Sequence, residues 1–146
     1  MNTTKWFKLG LLLVLMLIIA ASIFAAPIAV PDTLIQAIHK VETGGKFGPI
    51  LGDKGKALGP LQIHREYWRD SGVAGQYEQC ADYDYSVRVV NGYMNRYALR
   101  YLRRHDLESL ARIHNGGPSG NTRVATLKYW QKISLCVRDT RADRGS

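Results

Sequence analysis

The sequence predicts a single, mainly helical α+β domain with one small β-hairpin element, and three observations predict it. A length of 146 residues is that of one domain. Apolar residues recur at helical spacing in several separated stretches. Between the first two, residues 46–63 are crowded with Gly48, Gly52, Gly55, Gly59, Pro49 and Pro60, the composition of turns.

Each element has its own signal. Asp32 stands before Leu34, Ile35, Ala37, Ile38 and Val41, a helical stripe it is suited to cap, and Gly44-Gly45 ends the run. Residues 46–63 read as loops and a short hairpin turning near Asp53-Lys54-Gly55. A helix resumes from Tyr85 to Leu102, where Val90, Met94, Tyr97 and Tyr101 make one stripe. Asp106 is placed to cap a short helix through Leu107, Leu110 and Ala111, which Asn115-Gly116-Gly117-Pro118 stops. Thr122 is placed to cap another, containing Val124, Leu127 and Tyr129. The polar residues 138–146 are expected to fray as a tail.

The first 25 residues belong to no domain. Lys5 and Lys8 precede an apolar run from Leu9 to Ala20, followed by small residues up to Ala25 and Ala26, just before Pro27. That order is a secretory leader cleaved near Ala25 or Ala26, so the domain proper is expected over residues 26–137. The rival reading is an uncleaved signal anchor, since an apolar stretch of about 18 residues just suffices to span a bilayer. The expected location is therefore outside the cell, with membrane anchoring as the alternative. A cleaved leader leaves no stable membrane partner.

Cleavage removes two of the 20 basic residues, leaving 18 against 12 acidic and a net charge of +6. A basic exported domain attracts polyanions such as bacterial walls, nucleic acid or anionic membranes. Arg65, Arg69, Arg88, Arg96, Arg100, Arg103 and Arg104 are dispersed, without an aromatic or glycine-rich RNA-binding signature, so no nucleic-acid partner is expected. The two cysteines, Cys80 and Cys136, are read as one disulfide closing a long loop, against the alternative of two buried thiols. No Cys/His spacing suits a metal, and no metal or cofactor is expected.

Glu42 is the most informative residue. At 100° per residue from Leu34, it falls at about 80°, between Ile38 at about 40° and Ile35 at about 100°. Gln36, His39 and Lys40 are assigned to the opposite, solvent side. A carboxyl on an apolar face loses hydration, and at a helix C-terminus it meets the negative end of the dipole; both favour its neutral form. A carboxyl that holds its proton is a general acid. Asp53, on the glycine-flanked turn Gly52-Asp53-Lys54-Gly55, is expected to remain a solvated carboxylate. Two carboxyls in unlike surroundings divide the roles of acid and nucleophile, as glycoside cleavage requires. An aspartate in a turn is also common for backbone reasons alone.

Two further segments suit a sugar ligand. Gly59-Pro60-Leu61-Gln62-Ile63 leads into His64-Arg65-Glu66-Tyr67-Trp68, where aromatic faces stack on rings and Gln62, His64 and Arg65 bond hydroxyls. Core packing is the competing reading for Tyr67 and Trp68. Ile113-His114-Asn115-Gly116-Gly117-Pro118 offers unobstructed backbone beside an amide and an imidazole, although a simple helix stop also explains it. His64 and His114 are read as hydrogen-bonding groups rather than bases.

Taken in order, Val41-Glu42-Thr43-Gly44, the Asp53 turn, Gly59-Pro60-Leu61-Gln62-Ile63, Tyr67-Trp68, Tyr93-Met94-Asn95-Arg96-Tyr97 and Ile113-His114-Asn115-Gly116-Gly117-Pro118 resemble the invertebrate-type (destabilase) lysozyme family over residues 33–133. The resemblance implies a lysozyme-like fold and cofactor-free hydrolysis of the β-1,4 bond between N-acetylmuramic acid and N-acetylglucosamine in peptidoglycan. It implies Glu42 as proton donor and Asp53 as nucleophile, with His64 to Trp68, Tyr97, and His114 to Gly116 along the glycan cleft. Two departures stand out. Gly45 and Ser71 occupy positions where such proteins commonly carry cysteine, and the loop from Asp53 to Gly59 is a residue shorter. Three alternatives remain: a lytic transglycosylase using Glu42 alone, a non-enzymatic cationic wall-binding protein, and a membrane-tethered form of the same enzyme.

Overall fold

The computed structural model describes residues 26–143, with side chains through Thr140. The leader reading lies outside the described residues. Among the described residues, six α-helices and a three-stranded antiparallel sheet follow in order: α1 Asp32–Thr43, β1 Leu51–Gly52, β2 Ala57–Leu58, β3 Ile63–His64, α2 Arg65–Ser71, α3 Tyr83–Tyr97, α4 Leu99–Arg103, α5 Leu107–Gly116 and α6 Leu127–Asp143. The mainly helical α+β class is as the sequence predicts. The strand order is β1-β2-β3, with Leu51 opposite Leu58, and Leu58 opposite Ile63. Only the first hairpin was legible, from its Asp53-Lys54-Gly55 turn; all three strands are two residues long, too short to show alternation.

Local signals explain most boundaries. Gly44, at φ 69°, ends α1, and the N–H groups of Gly44 and Gly45 donate to the Lys40 and His39 carbonyls. Asp82 caps α3 by accepting from the Tyr85 N–H at 2.7 Å, and Asp106 caps α5 by accepting from Ser109 N at 3.0 Å. Several expectations need correction. Asp32 is not a cap; Pro31 precedes the helix and its carbonyl accepts from Leu34 and Ile35. The helix expected to reach Leu102 breaks at Ala98, where φ is −130°. Residues 120–126 form two 3₁₀ turns instead of a helix capped by Thr122, and α6 continues through Asp143, past the point where polarity predicted fraying.

Leu34, Ile38, Leu61, Ile63, Met94, Leu102, Leu110, Ile113 and Ile133 are fully buried and fill the space between α1, α3, α5, α6 and the β2–β3 loop. Burial of each such side chain stabilises the fold by about 1.5–3 kcal/mol before entropy is counted. His39 is a correction to the wheel. It lies at about 140° in the helical projection, and the loop after α1 folds back over it. Its ring sits between Phe47 and Tyr83, with Nε2 2.9 Å from the Lys46 carbonyl.

The predicted disulfide is likewise corrected: both thiols are free. Cys80 is buried in the 3₁₀ turn Tyr77–Ala81, beneath the sheet, where burial pushes its thiol up to about 12. Cys136 is on α6, facing Gln36, Ala37 and Lys40 of α1. The two stand on different packed elements. Other contacts hold the hairpin. Gly59, at φ 82°, lies so close to the Cys80 backbone that a Cβ would come within 1.8 Å of the carbonyl oxygen. Tyr77 Oη is 2.8 Å from the Ile63 carbonyl and 3.2 Å from that of Lys56.

Candidate active site

The end of α1 and the hairpin face each other across a cavity of about 320 Å³, lined by Glu42, Asp53, Ala57, Gln62, His64, His114 and Asn115. Their relative position is fixed locally. The Thr43 hydroxyl lies 3.2 Å from each of the His39, Lys46 and Pro60 carbonyls, so the last turn of α1 is tied to the loop before β3. Gln62 Nε2 donates to the Gly59 carbonyl at 2.9 Å and to that of Ile50 at 3.2 Å. Gln62 therefore braces both ends of the first hairpin while presenting one face to the cavity. Gly52 lies directly beneath it: a Cβ there would come within 1.7 Å of Gln62 Oε1, and the Gln62 amide would have to shift.

Glu42, in the last turn of α1, is half-buried and lines the cavity. Its Oε1 accepts a hydrogen bond from Tyr129 Oη at 2.7 Å. Among the described residues, Oε2 makes no hydrogen bond and is left to face the cavity. Burial raises the carboxyl above its ordinary range; the Tyr129 hydrogen bond, His64 and Lys132 pull it only partly back. Tyr129 is the residue sequence reasoning missed. It follows Glu42 by 87 positions, and a tyrosine in an amphipathic helix signals core packing until the helix crossing is known.

Asp53 is the opposite case. It lies at φ 45° on the 3₁₀ turn Asp53–Gly55, with 56% of its side chain exposed. His64 Nε2 stands 3.6 Å from its Oδ2, close enough to balance the carboxylate charge when the ring is protonated. The two carboxyls that the sequence singles out therefore share one cavity, one sheltered and one wet.

The remaining candidates divide. His114 and Asn115 line the cavity. Burial, opposed by a bond to the Leu61 backbone, holds the His114 imidazole down to about 4, so it is neutral in ordinary working conditions. Its Nδ1 is 3.2 Å from Tyr67 Oη, and the Tyr67 ring stacks on Tyr93 at 3.6 Å. Tyr67 thus backs the wall of the cavity from behind. Trp68 points inward, donating from Nε1 to Tyr85 Oη at 2.9 Å. Tyr97 leans on Tyr93, and Gly116 packs under Thr126, where a Cβ would meet Cγ2 at 2.6 Å. Arg65 stacks over Tyr77 and lines a neighbouring groove. Trp68, Tyr97, Gly116 and Arg65 are not among the residues lining this cavity.

The chain is similar to known proteins in sequence and in fold. Residues 32–136 match the Destabilase family model. A lysozyme of Ostrea edulis is 36% identical over 109 residues, covering 72% of this chain and 80% of its own. An invertebrate-type lysozyme of Ruditapes philippinarum is 37% identical over 118 residues, or 76% of this chain and 87% of its own. Among solved structures, the Tapes japonica lysozyme superposes with a TM-score of 0.63 at 36% identity, over 75% of this chain and 92% of that one. The Meretrix lusoria lysozyme, solved in complex with Aeromonas hydrophila PliI, gives 0.62 at 31% identity over the same shares. With its fold and its family match in agreement, this chain belongs to the destabilase family and is a glycosidase of the lysozyme kind.

Proposed function

We propose that this protein hydrolyses the β-1,4 bond between N-acetylmuramic acid and N-acetylglucosamine in bacterial peptidoglycan, with Glu42 as general acid and Asp53 as nucleophile. One observation carries the reading: a sheltered carboxyl with raised proton affinity shares a single cavity with an exposed carboxylate. Glu42 gives its proton to the departing glycosidic oxygen while Asp53 takes the anomeric carbon. Glu42, now a carboxylate, then removes a proton from the water that displaces Asp53 and restores both groups. His64 stands beside Asp53 at 3.6 Å, and neutral His114 and Asn115 bond the sugar substituents. Export through the 1–25 leader and a net charge of +6 bring the enzyme to anionic walls. N-terminal sequencing of the exported chain tests that step.

Product analysis tests the chemistry. Digested peptidoglycan is expected to carry reducing muramic acid ends. Anhydro-muramoyl ends would instead assign a transglycosylase, in which the sugar closes on itself and Asp53 is idle.

The Tyr129 hydrogen bond predicts a pH effect. The hydroxyl stabilises the ionised Glu42 carboxylate, so Tyr129→Phe raises the proton affinity of Glu42 further. Activity needs the protonated acid and is lost as pH rises through the Glu42 titration. The alkaline limb of the kcat profile is therefore expected to move upward in the variant, which a pH–rate series measures. An unmoved or lowered limb counts against the assignment.

A further inference from the structure

Beside the catalytic cavity lies a second groove, of about 370 Å³, lined by Gly55, Lys56, His64, Arg65, Glu66 and Tyr77. The two share His64, so whatever fills the second groove is adjacent to a sugar held at Asp53. Its character differs from that of a glycan cleft. Lys56 is exposed and makes no ion pair among the described residues. Arg65 is fixed by stacking at 4.2 Å over the Tyr77 ring and by an ion pair with Glu78 at 3.2 Å, so its guanidinium is held ready at the groove. Glu66 contributes one negative group, itself 3.7 Å from Arg69. The groove thus sets one cation without an ion pair among the described residues, Lys56, and the Glu78-paired Arg65 beside Glu66 and an aromatic wall.

Neutral N-acetyl sugars have no use for such cations, whereas the peptide arms of peptidoglycan do. Those arms hang from muramic acid, the sugar on one side of the scissile bond, and carry free carboxylates and an occasional amine. Resting on the function proposed above, we infer that the groove lined by Lys56, His64, Arg65 and Tyr77 binds the acidic peptide arm of the muramic acid residue. It makes the enzyme selective for peptide-bearing glycan over the same glycan stripped of its peptides. Lys56 supplies an unpaired cation for a carboxylate, Arg65 and Tyr77 a stacked wall, and Glu66 a partner for an amine.

The test uses soluble, teichoic-acid-free muropeptide oligomers and the same oligomers after an amidase has removed the peptides and the lactyl carboxylates so freed have been capped as neutral methylamides. Wild-type enzyme is expected to favour the peptide-bearing oligomer about tenfold in kcat/KM, the worth of a charge-assisted hydrogen bond. Lys56→Gln is expected to erase most of that preference by slowing only the peptide-bearing substrate, and Lys56→Glu to erase it fully. The Lys56 backbone carbonyl, which accepts from Tyr77, is untouched by either change. Lys40→Gln removes an equal charge from the groove between α1 and α6 and is expected to leave the preference intact. Equal rates on both oligomers in the wild type, or a preference that survives Lys56→Glu, would overturn the groove assignment alone. Failure to cleave either oligomer would overturn it together with the hydrolase reading.

Discussion

Glu42→Gln is expected to lower clearing of bacterial walls by roughly 10³-fold, within the range of 10²–10⁴ ascribed to a positioned general acid. The substitution is nearly isosteric, and the amide oxygen still accepts from Tyr129 Oη at the position Oε1 now occupies. The new NH₂ group replaces Oε2, the oxygen left to face the cavity, and has no acidic proton to release. Folding and wall binding should therefore persist while turnover fails. A sedimentation assay with intact walls measures the first, and turbidity loss the second. This combination separates an enzyme from a cationic protein that merely coats walls, because such a protein gains nothing from a sheltered acid. Clearing at the wild-type rate by Glu42→Gln would end the assignment of the acid.

The half-buried Glu42 carboxyl was legible because the signal for it is local. Helical periodicity alone places Glu42 between Ile35 and Ile38, and the cavity opens on that face. Caps and stops, such as Gly44, Asp106 and Gly117, were legible for the same reason. Features that depend on chain segments distant in sequence were not. His39 reads as exposed on an isolated helix and is buried only because Phe47 returns over it. Tyr129 reads as core and becomes a partner of Glu42 only where α6 crosses α1. The cysteines illustrate the limit differently. Export and an even count argue for pairing, yet Cys80 is buried below Gly59 and Cys136 faces α1. In place of a bridge, the Gln62 brace and the Tyr77 hydroxyl tie the hairpin that presents Asp53.

That substitute bracing makes Asp53→Asn the second decisive variant. Asparagine adopts the left-handed backbone of position 53, at φ 45°, at least as readily as aspartate, so the turn is expected to keep its shape. What is lost is the carboxylate proposed to take the anomeric carbon. A fall in kcat of roughly 10²-fold or more is expected, equivalent to about 2.7 kcal/mol of barrier or more, with KM for soluble muropeptides changed far less. The comparison with Glu42→Gln then distinguishes mechanisms. If both carboxyls act in one displacement, either substitution alone nearly silences the enzyme, and combining them adds little further loss. If Glu42 works alone, Asp53→Asn retains most of its turnover. Two carboxyls held in unlike surroundings across one cavity argue for the first outcome.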